Sequence, residues 1–287
     1  MSKVESVVRK SMVIRDSGRS SDYITPSFGH GCLFNCSYCY MKRHKPDGLT
    51  VAKNPGDILT VVNNHSYFYA DAQKPNQTHP KYMTYDISCN EDFALHAKFH
   101  KWEYIFEFFR DHPIAMGTFA TKTIPIKFLG FDPKKKIRIR FSLMPQKVAD
   151  KLEPNTAKII DRIKAVDDFI KAGYEVHLNF SPVVVYDGWL EDYDLLFKMC
   201  SEYIENKEEV LSEVIFLTHN AKKHQYNLNN SLKGEELLWT PNNQEIKTSQ
   251  YGGINIRYKY NLKRQFIKEW TRLHDEIIPW NTIRYIF

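Results

Sequence analysis

Cys32, Cys36 and Cys39 stand in the run GHGCLFNCSYCYMKRH, with three residues between the first two and two between the last two. Thiolates are soft ligands that select zinc, copper(I) or iron–sulfur clusters. Full protein ligation of a four-iron cluster takes four thiolates, and here only three are close together. A cluster held by three leaves one iron open to another ligand, the kind of open position that marks chemistry at a metal site. The competing reading is zinc with His30 or His44 as the fourth ligand. The chain has five cysteines, an odd number, behind an N-terminus too polar for a secretion signal, so a disulfide framework is not expected. Cys200, in the helical stretch LLFKMC, reads as a buried core thiol.

These residues need elements to hold them. Short β-rich runs alternate with helical stretches, the signature of an α/β fold with parallel strands. Strands are expected over 23–28, 82–87, 115–121, 137–143, 175–182 and 213–218, and helices over 56–64, 101–111, 155–172, 190–206 and 261–276. In 155–172, Ile159, Ile160, Ile163, Val166, Phe169 and Ile170 recur at helical spacing, with Pro154 before the start and Gly173 after the end. Six strands with helices between them suit a partial (β/α)6 barrel, in which the C-terminal ends of the strands carry the site. The cysteine run follows the first expected strand, and Cys89 ends the second.

The 287 residues are 43% hydrophobic and 26% charged, which excludes a disordered chain, a collagen-like repeat or a coiled coil. No apolar run reaches the roughly 18 residues that a membrane span needs. A cytoplasmic protein with no membrane partner is therefore expected. A net charge of +6 permits a phosphate-rich partner. Two stretches concentrate it: Lys134, Lys135, Lys136, Arg138 and Arg140, and then Arg257, Lys259, Lys263, Arg264, Lys268 and Arg272 interleaved with Tyr258, Tyr260 and Trp270. Basic residues among aromatics suit a nucleic-acid groove with stacking contacts, whereas a plain charge run is a solvated face.

The three-and-two cysteine spacing in a glycine-rich loop after a first strand resembles the radical S-adenosylmethionine (SAM) superfamily. Its [4Fe-4S] cluster chelates SAM at the open iron and cleaves it to a 5′-deoxyadenosyl radical. Over almost its whole length the chain is similar to the spore photoproduct lyase family. The motifs are, in order, CSYCY (36–40), YDISCNED (85–92), FATKT (119–123), RIRFSLMP (138–145), LEPNTAKIIDRIKA (152–165), AGYEVHLNFSPVVVYDGW (172–189), RYKY (257–260) and IRYIF (283–287). All but the cysteine motif are weak alone, and their shared order carries the resemblance. There are two departures. Asn90 and Glu91 follow Cys89 where the family has Thr-Ser, and much of the family's N-terminal extension is lacking.

The resemblance implies a partial barrel of the radical SAM type with a C-terminal substrate-binding hairpin and helix. The implied division is an N-terminal extension (1–20), the barrel (21–220) and a C-terminal substrate-binding part (221–287). Cys32, Cys36 and Cys39 are implied as ligands of the [4Fe-4S] cluster, and Tyr38, Lys122, Ser142 and Ser181 as SAM contacts. Asp86 and Glu91 are available for the SAM amino group, because the usual Gly-Gly-Glu motif is absent after the second strand. Cys89 is implied as hydrogen-atom donor to a thymine methyl radical, with Tyr40 relaying hydrogen to the SAM-derived fragment. Taken alone, Cys89 reads as a small buried hydrophobe. Arg257 and Tyr258 are implied in a hairpin that wedges into DNA and accommodates an extruded dinucleotide. The implied activity is a DNA repair lyase that reverses the spore photoproduct thymine dimer to two thymines, with a reducing partner such as flavodoxin or ferredoxin. Two rival readings remain at this point: the same radical chemistry on a modified thymine or other nucleoside, and a zinc-stabilised nucleic-acid-binding module without catalysis.

Overall fold

Residues 115–121 (AMGTFAT) are buried at every position but Ala120, the pattern of a strand covered on both faces. They form the centre of the sheet that organises the molecule. The computed structural model describes residues 3–18, 20, 22–72, 79–248 and 252–287. Six strands run parallel and in chain order: β1 (Tyr23–Ile24), β2 (Met83–Asp86), β3 (Ala115–Thr121), β4 (Ile137–Ser142), β5 (Glu175–Val183) and β6 (Leu211–Phe216). Helices lie in the connections: α1 (Pro55–Phe68), α2 (Trp102–Asp111), α3 (Gln146–Leu152), α4 (Ile159–Lys164), α5 (Val166–Lys171) and α6 (Trp189–Tyr203). In α2 the buried residues are Trp102, Ile105, Phe106 and Phe109, one face at helical spacing. The helix lies close on the sheet because Gly117 has no side chain: a Cβ there would meet Phe109 Cδ2 and Ile137 Cδ1 at 2.9 Å.

The C-terminal part packs on this frame. It holds α7 (Ala221–Asn229), the antiparallel hairpin of β7 (Gln244–Thr248) and β8 (Ile254–Tyr258), α8 (Tyr260–Ile277) and β9 (Thr282–Ile286). β9 pairs in parallel with β6, and Arg15–Asp16 pairs antiparallel with β1, so the sheet is an open, curled half-barrel of eight strands. Trp270 of α8 is fully buried against Phe180, Tyr193 and Phe197. Among the described residues, no helix is long and apolar enough to cross a membrane.

Three expectations need correction. The strand expected over 23–28 stops at Ile24. Pro26 has no N–H to give a ladder, and Gly29–Gly31 turns into a second small sheet with Leu49–Ala52 and Val4–Val7. The helix expected over 155–172 starts at Ile159 and is interrupted at Ala165. Asn155 is left-handed at φ 66°, and the turn around it wraps the fully buried Arg162. That side chain donates to the carbonyls of Ala157 and Ser142 and to Thr156 Oγ1 at 3.0, 2.7 and 2.6 Å. The first basic stretch is split: Lys134 and Lys135 are exposed, but the rest forms no surface groove. Lys136, Arg138 and Arg140 alternate along β4 and its approach, so all three point to the interior and are buried. Arg138 pairs with Glu175 at 2.5 Å, and Arg140 with Asp86 at 2.8 Å and Glu213 at 3.5 Å.

Candidate active site

The C-terminal ends of five parallel strands open into one cavity of about 290 Å³. Asp86, Ala120, Arg140, Asn179 and Ile215 each line it from a different strand, and Lys122 and Ser181 extend the wall. The cysteine loop closes the other side with Cys32, Cys36, Cys39, Tyr38 and Tyr40, and Cys89 stands between the two walls. Strand ends of this kind are where barrel folds carry chemistry.

The loop hangs between Gly29–Gly31 and Leu49–Ala52 and is tied to the barrel by backbone bonds. Gly31 N donates to Asn90 O at 3.1 Å, and Ser37 N to Leu152 O at 2.9 Å. His96 Nε2 accepts from Leu33 N at 3.2 Å. Cys36 is buried, and Cys32 and Cys39 are half-buried. Burial, then the charge of Asp92, pushes the Cys32 thiol up to about 12. Burial, then Glu153, pushes Cys36 well above the usual thiol range. These thiols are therefore protonated until a metal displaces the protons.

The donor set, three soft thiols lining one cavity, fits a soft metal or an iron–sulfur cluster. A tetrahedral zinc with Zn–S near 2.3 Å needs sulfurs roughly 3.8 Å apart. Among the described residues, the trio of metal-binding side chains drawn within 4.8 Å is His219, His224 and Glu235, not the cysteines. His30 and His44 join the cysteines in no such group, and His44 instead lies 3.0 Å from the Arg43 guanidinium. Three soft thiols spread around one cavity leave room for a larger iron–sulfur group with an open position.

Tyr40 and Cys89 meet at the mouth. The Tyr40 hydroxyl lies 2.9 Å from the Cys89 carbonyl and 2.7 Å from Asn90 Oδ1. Burial, then Asp86, pushes the Cys89 thiol up to about 11, against the opposing influence of Arg15 and Tyr40. Burial, with the Cys89 and Cys39 sulfurs, holds Tyr40 well above the usual phenol range. Both groups keep their hydrogen at neutral pH.

Deeper in the wall, the Tyr38 hydroxyl donates to Glu153, whose other oxygen pairs with Arg162 at 3.0 Å. Lys122 Nζ lies 5.7 Å from the Tyr38 ring centre and donates to Ser142 Oγ at 3.4 Å. Burial pulls the Lys122 pKa down, but Glu153, Cys36 and Asp92 outweigh it and leave it raised. Ser142 is itself buried, behind Lys122 and Asn179. Asp86 is fixed by Arg140 and by Ser88 N at 2.8 Å each.

Two expected site residues sit differently. Glu91 lines the cavity, but its side chain is fully buried and one oxygen takes bonds from His96 Nδ1 at 3.0 Å and His100 Nε2 at 2.9 Å. Burial would push its carboxyl up, and the two histidines hold it down. A Cβ at Gly29 would lie 2.3 Å from that carboxyl, so Glu91 is wedged under the loop. Tyr258 is 2% exposed, and its hydroxyl accepts from Val185 N at 2.9 Å. It anchors the hairpin to the core and is not a stacking face. The exposed aromatic there is Tyr260. Arg257 is half-buried on β8 and donates to Thr248 O at 3.0 Å, and Arg264, Lys268 and Arg272 form an exposed stripe four residues apart on α8. Cys200 is fully buried.

The sequence reading missed the supports. Asp92 accepts from Leu95 N, Thr121 Oγ1 and Lys122 N at 3.1, 2.8 and 2.8 Å, locking the Cys89 segment to the end of β3. Its signal was present as an acidic residue just before the apolar start of a short helix. The roles of His96, His100, Glu153 and Arg162 were not legible, because their partners lie five to nine positions away and meet them only once the intervening turns are folded.

Residues 2–287 match the family profile described as "Spore photoproduct lyase". A spore photoproduct lyase of Bacillus subtilis (strain 168) is 29% identical over 194 residues, 67% of this chain and 54% of that protein. One of Clostridium acetobutylicum is 24% identical over 204 residues, 70% of this chain and 58% of that protein. The chain thus spans little more than half the length of the curated relatives it matches. The fold is similar to a solved spore photoproduct lyase complexed with dinucleoside spore photoproduct, with a TM-score of 0.88 at 20% identity, covering 99% of this chain and 82% of that one. A mutant of such a lyase with bound AdoMet and the same dinucleoside gives 0.88 at 19% identity with the same coverage. With a profile match over nearly every residue, the chain belongs to the spore photoproduct lyase family.

Proposed function

We propose that the protein is a radical SAM DNA repair lyase that returns the spore photoproduct thymine dimer to two thymines. The observation that carries the reading is that the three-cysteine loop and the Cys89–Tyr40 pair face one cavity at the strand ends. Related proteins of this fold bind AdoMet and the dinucleoside lesion. The [4Fe-4S] cluster and SAM, when bound, supply a 5′-deoxyadenosyl radical able to take the hydrogen from carbon 6 of the bridged thymine. Cys32, Cys36 and Cys39 would hold the cluster. Lys122 offers a buried cation for the SAM carboxylate, Asp86 an acidic side chain for its amino group, and Tyr38 and Ser181 further wall around it. Ser142 acts through Lys122, and Glu91 through the loop it supports.

Cys89 then gives its thiol hydrogen to the thymine methyl radical left when the methylene bridge breaks. Tyr40 donates to the resulting sulfur radical and recovers a hydrogen from the deoxyadenosine, so the sequence is redox-neutral. The retained S–H and O–H bonds suit these roles, since a thiolate has no hydrogen to give. Residues 221–287 form the substrate-binding part, with Arg257 on a DNA phosphate and Tyr258 holding the hairpin in place. A small reductant such as flavodoxin or ferredoxin would supply electrons.

One contact favours a second reading, with a modified thymine as substrate. Asn90, where the family has Thr, bonds the Tyr40 hydroxyl directly and so touches the hydrogen relay. Anaerobic reconstitution with iron and sulfide, followed by SAM, dithionite and a defined spore-photoproduct dinucleotide, tests both. Conversion of the bridged dinucleotide to thymidylyl-thymidine, its two thymines unlinked, supports the lyase. An iron-loaded protein that leaves the dinucleotide intact and converts a modified thymine overturns it in favour of the second.

A further inference from the structure

Ser37 and Tyr38, the residues between Cys36 and Cys39, are tied down by groups 185 to 196 positions later in the chain. Lys223 Nζ donates to the Tyr38 carbonyl at 3.1 Å and to the Thr218 carbonyl at 3.1 Å. Asn227 Nδ2 donates to the Ser37 carbonyl at 2.8 Å, and Ser37 Oγ to the Lys233 carbonyl at 2.6 Å. These side chains are themselves fixed. Asn227 also donates to Glu235 Oε2 at 2.5 Å, and Glu235 Oε1 lies 2.9 Å from His219 Nε2 and 2.6 Å from His224 Nδ1. Trp239 stacks on His224 with ring centres 4.1 Å apart. With one carboxylate oxygen bonded to both rings and the other to Asn227, this trio is a hydrogen-bonded hub behind the cysteine loop.

Lys223 stands apart from an ordinary tether. It is 8% exposed, and both its hydrogen-bond acceptors are neutral carbonyls. The Tyr38 carbonyl that it holds belongs to the peptide bond leading directly into Cys39.

We propose that Lys223 and Asn227 are positioning residues for the iron–sulfur cluster. Asn227 fixes the peptide that spaces Cys36 from Cys39, and Lys223 fixes the same peptide while placing a cation beside the Cys39 ligand. This rests on the reading of Cys32, Cys36 and Cys39 as cluster ligands. Outer groups that orient ligands are worth roughly 10- to 100-fold in metal retention. A buried cation also favours the more negative, reduced cluster and raises its midpoint potential.

The test uses the full chain as wild type, Asn227→Ala, Lys223→Met, Lys223→Gln, Lys223→Arg and the exposed Lys222→Gln, all reconstituted anaerobically with iron and sulfide. Asn227→Ala and Lys223→Met should release iron to a chelator about tenfold faster or more. Lys223→Met and Lys223→Gln should shift the potential negative, Lys223→Arg should restore it, and Lys222→Gln should match wild type. Circular dichroism of the metal-free forms identifies any variant that fails to fold, and the Gln–Arg pair then decides. Wild-type release rates and potentials in every folded variant, with the wild type holding its cluster, would overturn the proposal. A wild type that takes up no iron would instead overturn the cysteine reading, and the proposal with it.

Discussion

Cys89 separates two accounts of the site by product and not merely by rate. A space-filling thiol replaced by Ala would cost little beyond its packing. A donor replaced by Ala leaves SAM cleavage intact, because initiation needs only the deoxyadenosyl radical, and fails afterwards. Cys89→Ala should therefore still cleave SAM, lose most repair yield, and accumulate adducts on the thymine methyl carbon, read by mass spectrometry. Clean thymine at wild-type yield would return Cys89 to the core reading. At this scale Cys32, Cys36 and Cys39 were legible as one group, now seen to line a single cavity, because their spacing is local. Glu91 and Tyr258 were less so, because the His96–His100 pair and the Val185 amide that claim them are set by tertiary packing.

The turn over residues 153–158 shapes the wall behind Tyr38, and it depends on Arg162. Arg162 and Glu153 are both fully buried at the side chain. Removing one partner of such a pair leaves an uncompensated charge, at about 3–5 kcal/mol. Arg162→Met should lower denaturant stability by about that amount and weaken SAM binding together. His112 makes the opposite kind of demand, since its Nδ1 must accept from Ala115 N at 2.9 Å at the start of β3. Burial, then Lys136, lowers its pKa from 6.5 to about 4. Stability from this contact is complete above pH 6.5 and falls as pH drops toward 4, because the unfolded chain takes up the proton first. His112→Gln should flatten that part of the stability–pH curve. On the hairpin, Arg257→Ala should weaken DNA binding and reduce the log–log salt slope by about 1. An unchanged slope would make Arg257 part of a solvated face. The strand over 115–121 was legible to the residue because burial on both faces leaves a run, AMGTFAT, without a single charge. The start of α4 was not, because only the buried Arg162 reveals why the chain turns there.

Across the whole molecule, the half-barrel presents one wall, the cysteine loop the other, and segments from before and after the barrel brace that loop. Val4–Val7 braces Leu49–Ala52 beside the cysteine loop, and α7 grips the loop from behind. The alternating strands and helices made the barrel legible. The interior ladder of Arg138, Arg140, Glu213 and Arg284 was not, because in sequence those arginines look like surface charge. The proposed lyase reaction requires that a hydrogen leave carbon 6 of the bridged thymine for the deoxyadenosyl group. The most direct measurement uses a spore-photoproduct dinucleotide deuterated at that carbon, incubated anaerobically with the iron-loaded protein, SAM and dithionite. Deuterium should appear in the recovered SAM and deoxyadenosine as the bridged dinucleotide becomes thymidylyl-thymidine. An intact dinucleotide, or thymidine formed with no deuterium in either adenosyl product, would contradict the account.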